Sequence, residues 1–336
     1  MKLCVGTAKG VVIIDPERST PLLALADPSS VWCMAQDCDD PSVLYAGAVD
    51  NVHFGSARGR ATLARSLDAG RSWSDITPRN AREDDVWAIA AAPDRSGELF
   101  VGTSHARLLR SLDRGQTFRE CAAFLNVSGR SRWTGPLPPH IPHVRSLAFD
   151  RSKPPALYIG VEEGGVIRSR NRGETFEVVS GISEDVHGLA CDPGDPAQLY
   201  AATGEGLFVS HDAGASWRLA HGLNRSYAVP VFASGAGVVH VGAASGAPPL
   251  WSRPNVGADS AIFRSVDGGM NFKALVQEPW PVRAMVMRMR ADPRSSGALF
   301  AVTNDGYVLG ISGGPSPAVT TIAHRLPPSY DFAVLE

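Results

Sequence analysis

The sequence predicts an all-β fold in which residues 1–336 form one ring of seven four-stranded blades, closed by pairing of the N- and C-terminal strands. Three observations predict it. A short strand ending in a small residue recurs seven times, roughly every 50 residues; a V-x-x-[LIM]-like strand precedes six of these; and a turn motif built on Ser, Asp and Gly recurs five times. Helical periodicity is almost absent between these landmarks. Short strands repeated at that spacing are the signature of a β-propeller.

Composition narrows the function classes. The 32 Lys and Arg against 34 Asp and Glu give a net charge of −2 with no basic run, which argues against a nucleic-acid partner. No apolar stretch approaches the ~20 residues that cross a bilayer, so no membrane partner is expected. The start, MKLCVGTAKGVVII, lacks a signal-peptide core, and the five cysteines form no C-x-x-C. A cytoplasmic protein without a resident cofactor is the expectation.

Taken in order, the first strand repeat is LCVG at Leu3, with no V-x-x-L strand before it; SYDFAVLE at Ser329 reads as the missing partner. Blade one therefore combines 2–29 with 329–336. The pairs VWCM/LYAG, VWAI/LFVG, VRSL/LYIG and VHGL/LYAA open blades two to five at 31–80, 86–122, 144–180 and 186–221. A degenerate YAVP with VHVG opens blade six at 227–276, and VRAMVM with LFAV opens blade seven at 282–326. Cys4 and His240 fall in the slot that Tyr45, Phe100, Tyr158, Tyr200 and Phe300 hold elsewhere, so both read as core residues.

The turn motif S-x-[DN]-x-G-x-x-[WF] appears as SLDAGRSW, SLDRGQTF, SRNRGETF, SHDAGASW and SVDGGMNF, from Ser66, Ser111, Ser169, Ser210 and Ser265. Its physics is that of a tight turn: Asp68 accepts backbone N–H bonds, Gly70 takes a positive φ, and Trp73 plugs the turn into the core. Asn171 keeps the acceptor in the third copy. The motif resembles the Asp-box, or BNR repeat, of the propeller superfamily that includes sialidases, xyloglucan hydrolases and photosystem II assembly factors. The resemblance implies the fold and a scaffolding role for the boxes. It carries over no catalytic residue, because the F/Y-R-I-P segment of sialidases is missing, xyloglucan-cleaving relatives use two facing propellers, and the assembly factors are directed to membranes.

The ring places function on one face. Long connections at 48–61, 122–143 and 243–260 all fall on the face opposite the boxes, and Trp32, Trp87, Trp133, Trp251 and Trp280 sort to it. The residue after the first valine of each inner strand should reach the channel mouth: Trp32, Trp87, Arg145, His187, and Arg283 or Met287. Around it stand Ser30, Asp85, His143, Asp185, Asp50, Glu162, Glu163, Glu205 and Asp305. Glu163, Asp185 and His187 form the candidate catalytic set, suited to acid/base chemistry. Trp32, Trp87, Arg145 and Glu162 form the candidate substrate-binding set, with Arg145 as anion clamp. His140 and His143 form H-x-x-H and with His187 and a nearby Glu could hold a divalent ion. The reading is a propeller that binds a small polar or sugar-like molecule, with glycoside-hydrolase-like or lyase chemistry within reach. The alternative is a non-catalytic scaffold for a protein partner.

Overall fold

The computed structural model describes residues 1–16, 21–50, 62–251, 257–275 and 284–335. Its strands form seven four-stranded antiparallel sheets, each ordered by sequence from the inside outward except the first, which begins with the C-terminal strand. In blade one, Ser329–Leu335 pairs with Lys2–Thr7, which pairs with Gly10–Ile14 and then Pro21–Leu25. The ring closes as expected, through partners such as Leu3 with Val334 and Val5 with Phe332. Closure leaves no innermost strand edge open to pairing with another chain. Trp280, Arg283 and parts of two long loops, 51–61 and 252–256, lie outside the described residues.

The two strand repeats explain each other. The Gly of each second strand sits where any side chain would strike the valine that opens the next blade. A Cβ on Gly47 would fall 2.4 Å from a methyl of Val86, on Gly102 2.3 Å from Val144, and on Gly160 2.8 Å from Val186. Gly6 stands in the same relation to Val31. Where the pattern breaks, both partners change size together. By register, Ala202 and Ala228 hold the two positions at one junction, and Val302 and Ser329 at another, all fully buried.

The boxes are clasps at the far face. In the first, Gly70 N–H donates to Ser66 Oγ at 2.8 Å and Ser72 N–H to Asp68 Oδ1 at 2.8 Å, while Ser72 Oγ donates to Asp68 Oδ2 at 2.6 Å. These bonds to Ser72 hold the Asp68 carboxyl down at about 2. Asn171 reproduces the acceptor role, taking the Thr175 N–H at 2.9 Å. Each box uses two successive positive-φ residues rather than one: Ala69 precedes Gly70, Arg114 precedes Gly115, and Ala213 precedes Gly214. The clasp replaces ladder pairing, since the outer strands after four boxes are only two residues long, as in Ser74–Asp75, against five in Pro21–Leu25 and Val319–Ala323 of the box-free blades.

Aromatic residues fill the sheet-to-sheet core, with Tyr45, Phe100, Tyr158, Tyr200 and Phe300 buried in equivalent slots. Cys4 and His240 are buried there too. Burial, with the Arg264 charge, lowers the His240 pKa to about 4.

Two outcomes follow from this packing. Phe332→Ala, in the closing strand, should cost about 3–5 kcal/mol in urea unfolding; a cost under about 1 kcal/mol would show that closure does not depend on this core contact. His240 is held below its ordinary 6.5, so its neutral form stabilises the fold above pH 6.5 and that contribution fades as pH falls through about 4. His240→Phe should therefore flatten the melting temperature over that window, and an unchanged pH slope would refute the assignment.

Candidate functional site

All seven inner strands carry a β-bulge near their start, and this bulge builds the mouth of the channel. Register shifts by one residue between Val31 and Cys33, Val86 and Ala88, Val144 and Ser146, Val186 and Gly188, and Val286 and Arg288. The extra residue on the bulged strand is left outside the ladder and its side chain is re-aimed. It is Trp32, Trp87, Arg145, His187 and Met287, which settles blade seven: the opening valine is Val286, not Val282. The same shift in blades six and one falls at Val229 and Tyr330.

These side chains meet across blade boundaries. Trp32 stacks on Tyr330 with centroids 4.3 Å apart and tilts against Trp87 at 5.2 Å. Trp87 stacks on His143 at 4.1 Å. The Arg145 guanidinium carbon lies 5.5 Å from the Trp32 ring and 5.3 Å from that of Trp87, a cation held over two π faces. Further round, His187 packs on Tyr227 at 4.5 Å, and Tyr227 meets Trp251 edge-on at 5.8 Å. The remaining arc, Val229 and Met287, is apolar and buried.

Glu162 organises the polar arc. Its Oε2 lies 2.7 Å from His143 Nε2 and 3.3 Å from Arg145 Nε. Burial alone would raise its pKa, but the His143 hydrogen bond and the charges of His143, Arg145 and His187 bring it to about 2. Glu162 is thus a fixed anion that positions Arg145. Its neighbour Glu163 is half-buried, takes a φ of 53°, and is pushed upward by burial and by the Asp185 and Glu162 charges. Its carbonyl accepts from Thr134 N–H at 3.4 Å, which ties the insert before blade four to the site. That insert is packed rather than open: Phe124 is buried beneath it, with Trp133 at 5.6 Å.

His187 is 5% exposed. Its Nδ1 donates to the Ala228 carbonyl at 2.6 Å, which places a proton there, and Nε2 is buried. Asp185 Oδ1 is 3.0 Å from Nε2, yet the two form no hydrogen bond. Asp185 reaches this place because residue 204 is glycine, where a Cβ would fall 2.1 Å from Asp185 Oδ2.

Of the expected ring of polar groups, the structure brings Glu162, Glu163, Asp185, His187, Arg145, Trp32 and Trp87 to the mouth. Asp85 is turned to structural work, accepting the Asp50 N–H at 2.8 Å. The suggested His140, His143 and His187 ligand set is not brought together. His140 Nδ1 is taken by the Gly135 carbonyl at 2.8 Å and His143 by Glu162; the ligand-type group that converges is Glu162, Asp185 and His187, whose donor atoms all lie within 4.8 Å of one another.

Below the mouth, Arg145, Arg151, Arg288, Arg290 and Asp331 line a channel cavity of about 310 Å³. Its lining holds four arginines and one carboxylate among the described residues. Asp331, 1% exposed, receives the Met34 N–H at 2.9 Å and Arg290 Nη2 at 2.9 Å, with Arg288 Nε at 3.1 Å. Sequence reasoning missed Tyr330, Tyr227, Arg288 and Asp331. Aligning SYDF with VWCM would have exposed Tyr330; the others depend on the register of degenerate strands.

These features define the class as a seven-bladed propeller with a polar, aromatic-walled channel mouth above a basic interior. No family model matches the chain, and no curated protein matches its sequence. Among solved structures, a GH74 xyloglucanase from Xanthomonas campestris is similar at 18% identity and TM-score 0.72, over 97% of this chain and 52% of that one. The chain thus spans about half the xyloglucanase's length. YCF48 bound to D1 peptide is similar at 16% identity and TM-score 0.61, over 92% and 89% of the two chains. These likenesses show a shared fold.

Glu162→Ala should cost about 3–5 kcal/mol in chemical denaturation, since it strands the buried His143 and Arg145 groups. Glu163→Ala should stay within about 0.5 kcal/mol. Equal effects of the two substitutions would contradict the division of roles between these neighbours.

Proposed function

We propose that this propeller binds a small, polar, sugar-like ligand carrying a negative charge, seated at the channel mouth. The observation that carries this is Arg145: its Nε is held by Glu162 and its guanidinium lies over Trp32 and Trp87, directly above a cavity with an excess of arginine. A cation held over two indoles offers an anion charge-assisted hydrogen bonds at an aromatic wall. Glu162 serves binding by positioning this clamp. Glu163, Asp185 and His187, on the same rim, are the groups we assign to proton transfer in glycoside-hydrolase-like or lyase chemistry on that ligand. Similarity in fold to a xyloglucanase supports a carbohydrate-type ligand.

A second reading is a scaffold that takes a protein segment at the same mouth. It is favoured by the nearly full-length match to YCF48, a propeller solved with a peptide bound.

Tryptophan fluorescence titrated with sugar acids, sugar phosphates and neutral sugars distinguishes them. Acidic sugars should quench the mouth indoles, and Arg145→Met should weaken them roughly 10- to 100-fold, the worth of a charge-assisted hydrogen bond. If neutral and acidic sugars behave alike, or Arg145→Met binds as tightly as wild type, the anion site is refuted. Peptide binding without sugar binding would establish the scaffold.

A further inference from the structure

Glu162, Asp185 and His187 converge in a way that ion pairing does not explain. The Nδ1 proton of His187 is committed to the Ala228 carbonyl, so Nε2 carries a lone pair in the neutral ring. That nitrogen is buried and has no hydrogen-bond partner, although Asp185 Oδ1 is only 3.0 Å away. A carboxylate oxygen and an imidazole lone pair are both acceptors and cannot hydrogen-bond to each other, whereas a cation shared between them satisfies both.

We propose that Glu162, Asp185 and His187 bind a single divalent transition-metal ion, of the zinc or manganese type, on the rim of the channel mouth. Ligands about 2.1 Å from a tetrahedral ion lie roughly 3.4 Å apart, close to the 3.0 Å between His187 Nε2 and Asp185 Oδ1. The third donor, on Glu162, is within 4.8 Å of the other two. One imidazole with two carboxylates suits ions of this class, and three protein ligands leave a position open to water or ligand.

The surroundings have the form of an outer ligand shell. A metal-bound histidine usually gives its other N–H to a backbone carbonyl, and a ligating carboxylate is itself hydrogen-bonded. Ala228 and His143 do this here, and both short contacts to the Glu162 carboxylate, from His143 and Arg145, fall on Oε2. Oε1 is the atom left for the ion. With the ion bound, Asp185 and His187 are ligands and Glu163 remains as the proton-transferring group. The inference shares residues with the anion reading but stands on this geometry alone.

The test uses the full chain, stripped with EDTA and titrated calorimetrically with Zn²⁺ and with Mn²⁺, with Co²⁺ absorption reporting coordination geometry. Wild type should bind one ion per chain. His187→Ala and Asp185→Asn should each weaken it more than 100-fold with thermal melting still cooperative, and His143→Gln, acting through Glu162, about 10- to 100-fold. Absence of binding by wild type, or wild-type affinity in His187→Ala or Asp185→Asn, overturns the site. Should His187→Ala fail to melt cooperatively, Asp185→Asn at its half-buried position decides alone. Sugar-acid titration in EDTA is run in parallel, so that loss of the ion and loss of the Arg145 clamp are read separately.

Discussion

The contact on which the rest of the molecule depends is small: a missing Cβ on the second strand of one blade, filled by the valine that opens the next. Because a side chain on Gly47 or Gly102 would overlap that valine by more than an ångström, blade spacing is set by backbone against side chain with no slack. Seven repetitions of one spacing close a ring, and the ring fixes where each inner strand starts. The bulge comes immediately after that valine, so the same contact fixes the height at which Trp32, Trp87, Arg145 and His187 enter the channel. At two other junctions Ala202 with Ala228, and Val302 with Ser329, hold the equivalent buried positions without a glycine.

Much of this was legible in the sequence for a physical reason. Repeats print the same local geometry several times, so VWCM, VWAI, VRSL and VHGL align themselves and point to one position as the channel-facing residue. The Asp-box turns were legible because their chemistry is local, within eight residues of chain. What escaped lay where the pattern decays. In YAVP and VRAMVM the opening residue is ambiguous, which hid Val229 and Arg288 and left Met287 open against Arg283, and SYDF was recognised as a strand without being assigned its register. Of the metal-type set only His187 and a nearby Glu were legible, because H-x-x-H is a sequence spacing, whereas His143 is taken by Glu162 across the Val144–Val161 register inside blade four.

The mouth also shows how a repeated fold acquires a one-sided site. The bulge presents seven side chains in equivalent positions, and the backbone makes no distinction among them. Chemistry alone divides the circle: aromatic at Tyr330, Trp32 and Trp87, polar at Arg145 and His187, aliphatic at Val229 and Met287. Glu162 stands at the junction of the first two sectors and is stabilised as an anion despite deep burial by the groups it orients. Stability and positioning come from the same contacts, to His143 and Arg145, so the scaffold cannot relax there without moving the guanidinium that faces the channel.

The strand Ser329–Leu335 supplies Tyr330 to the aromatic wall and Asp331 to the channel floor, while its pairing with Lys2–Thr7 completes the first sheet. Its partners in sequence lie some three hundred residues away, so this is the highest contact-order step in the fold and among the slowest to form. Until it docks, the arginines beneath the mouth lack their counter-charge and Trp32 lacks the ring on which it stacks. Ring closure therefore completes the aromatic wall and the channel floor, while the Glu162, Asp185 and His187 cluster draws only on blades four and five.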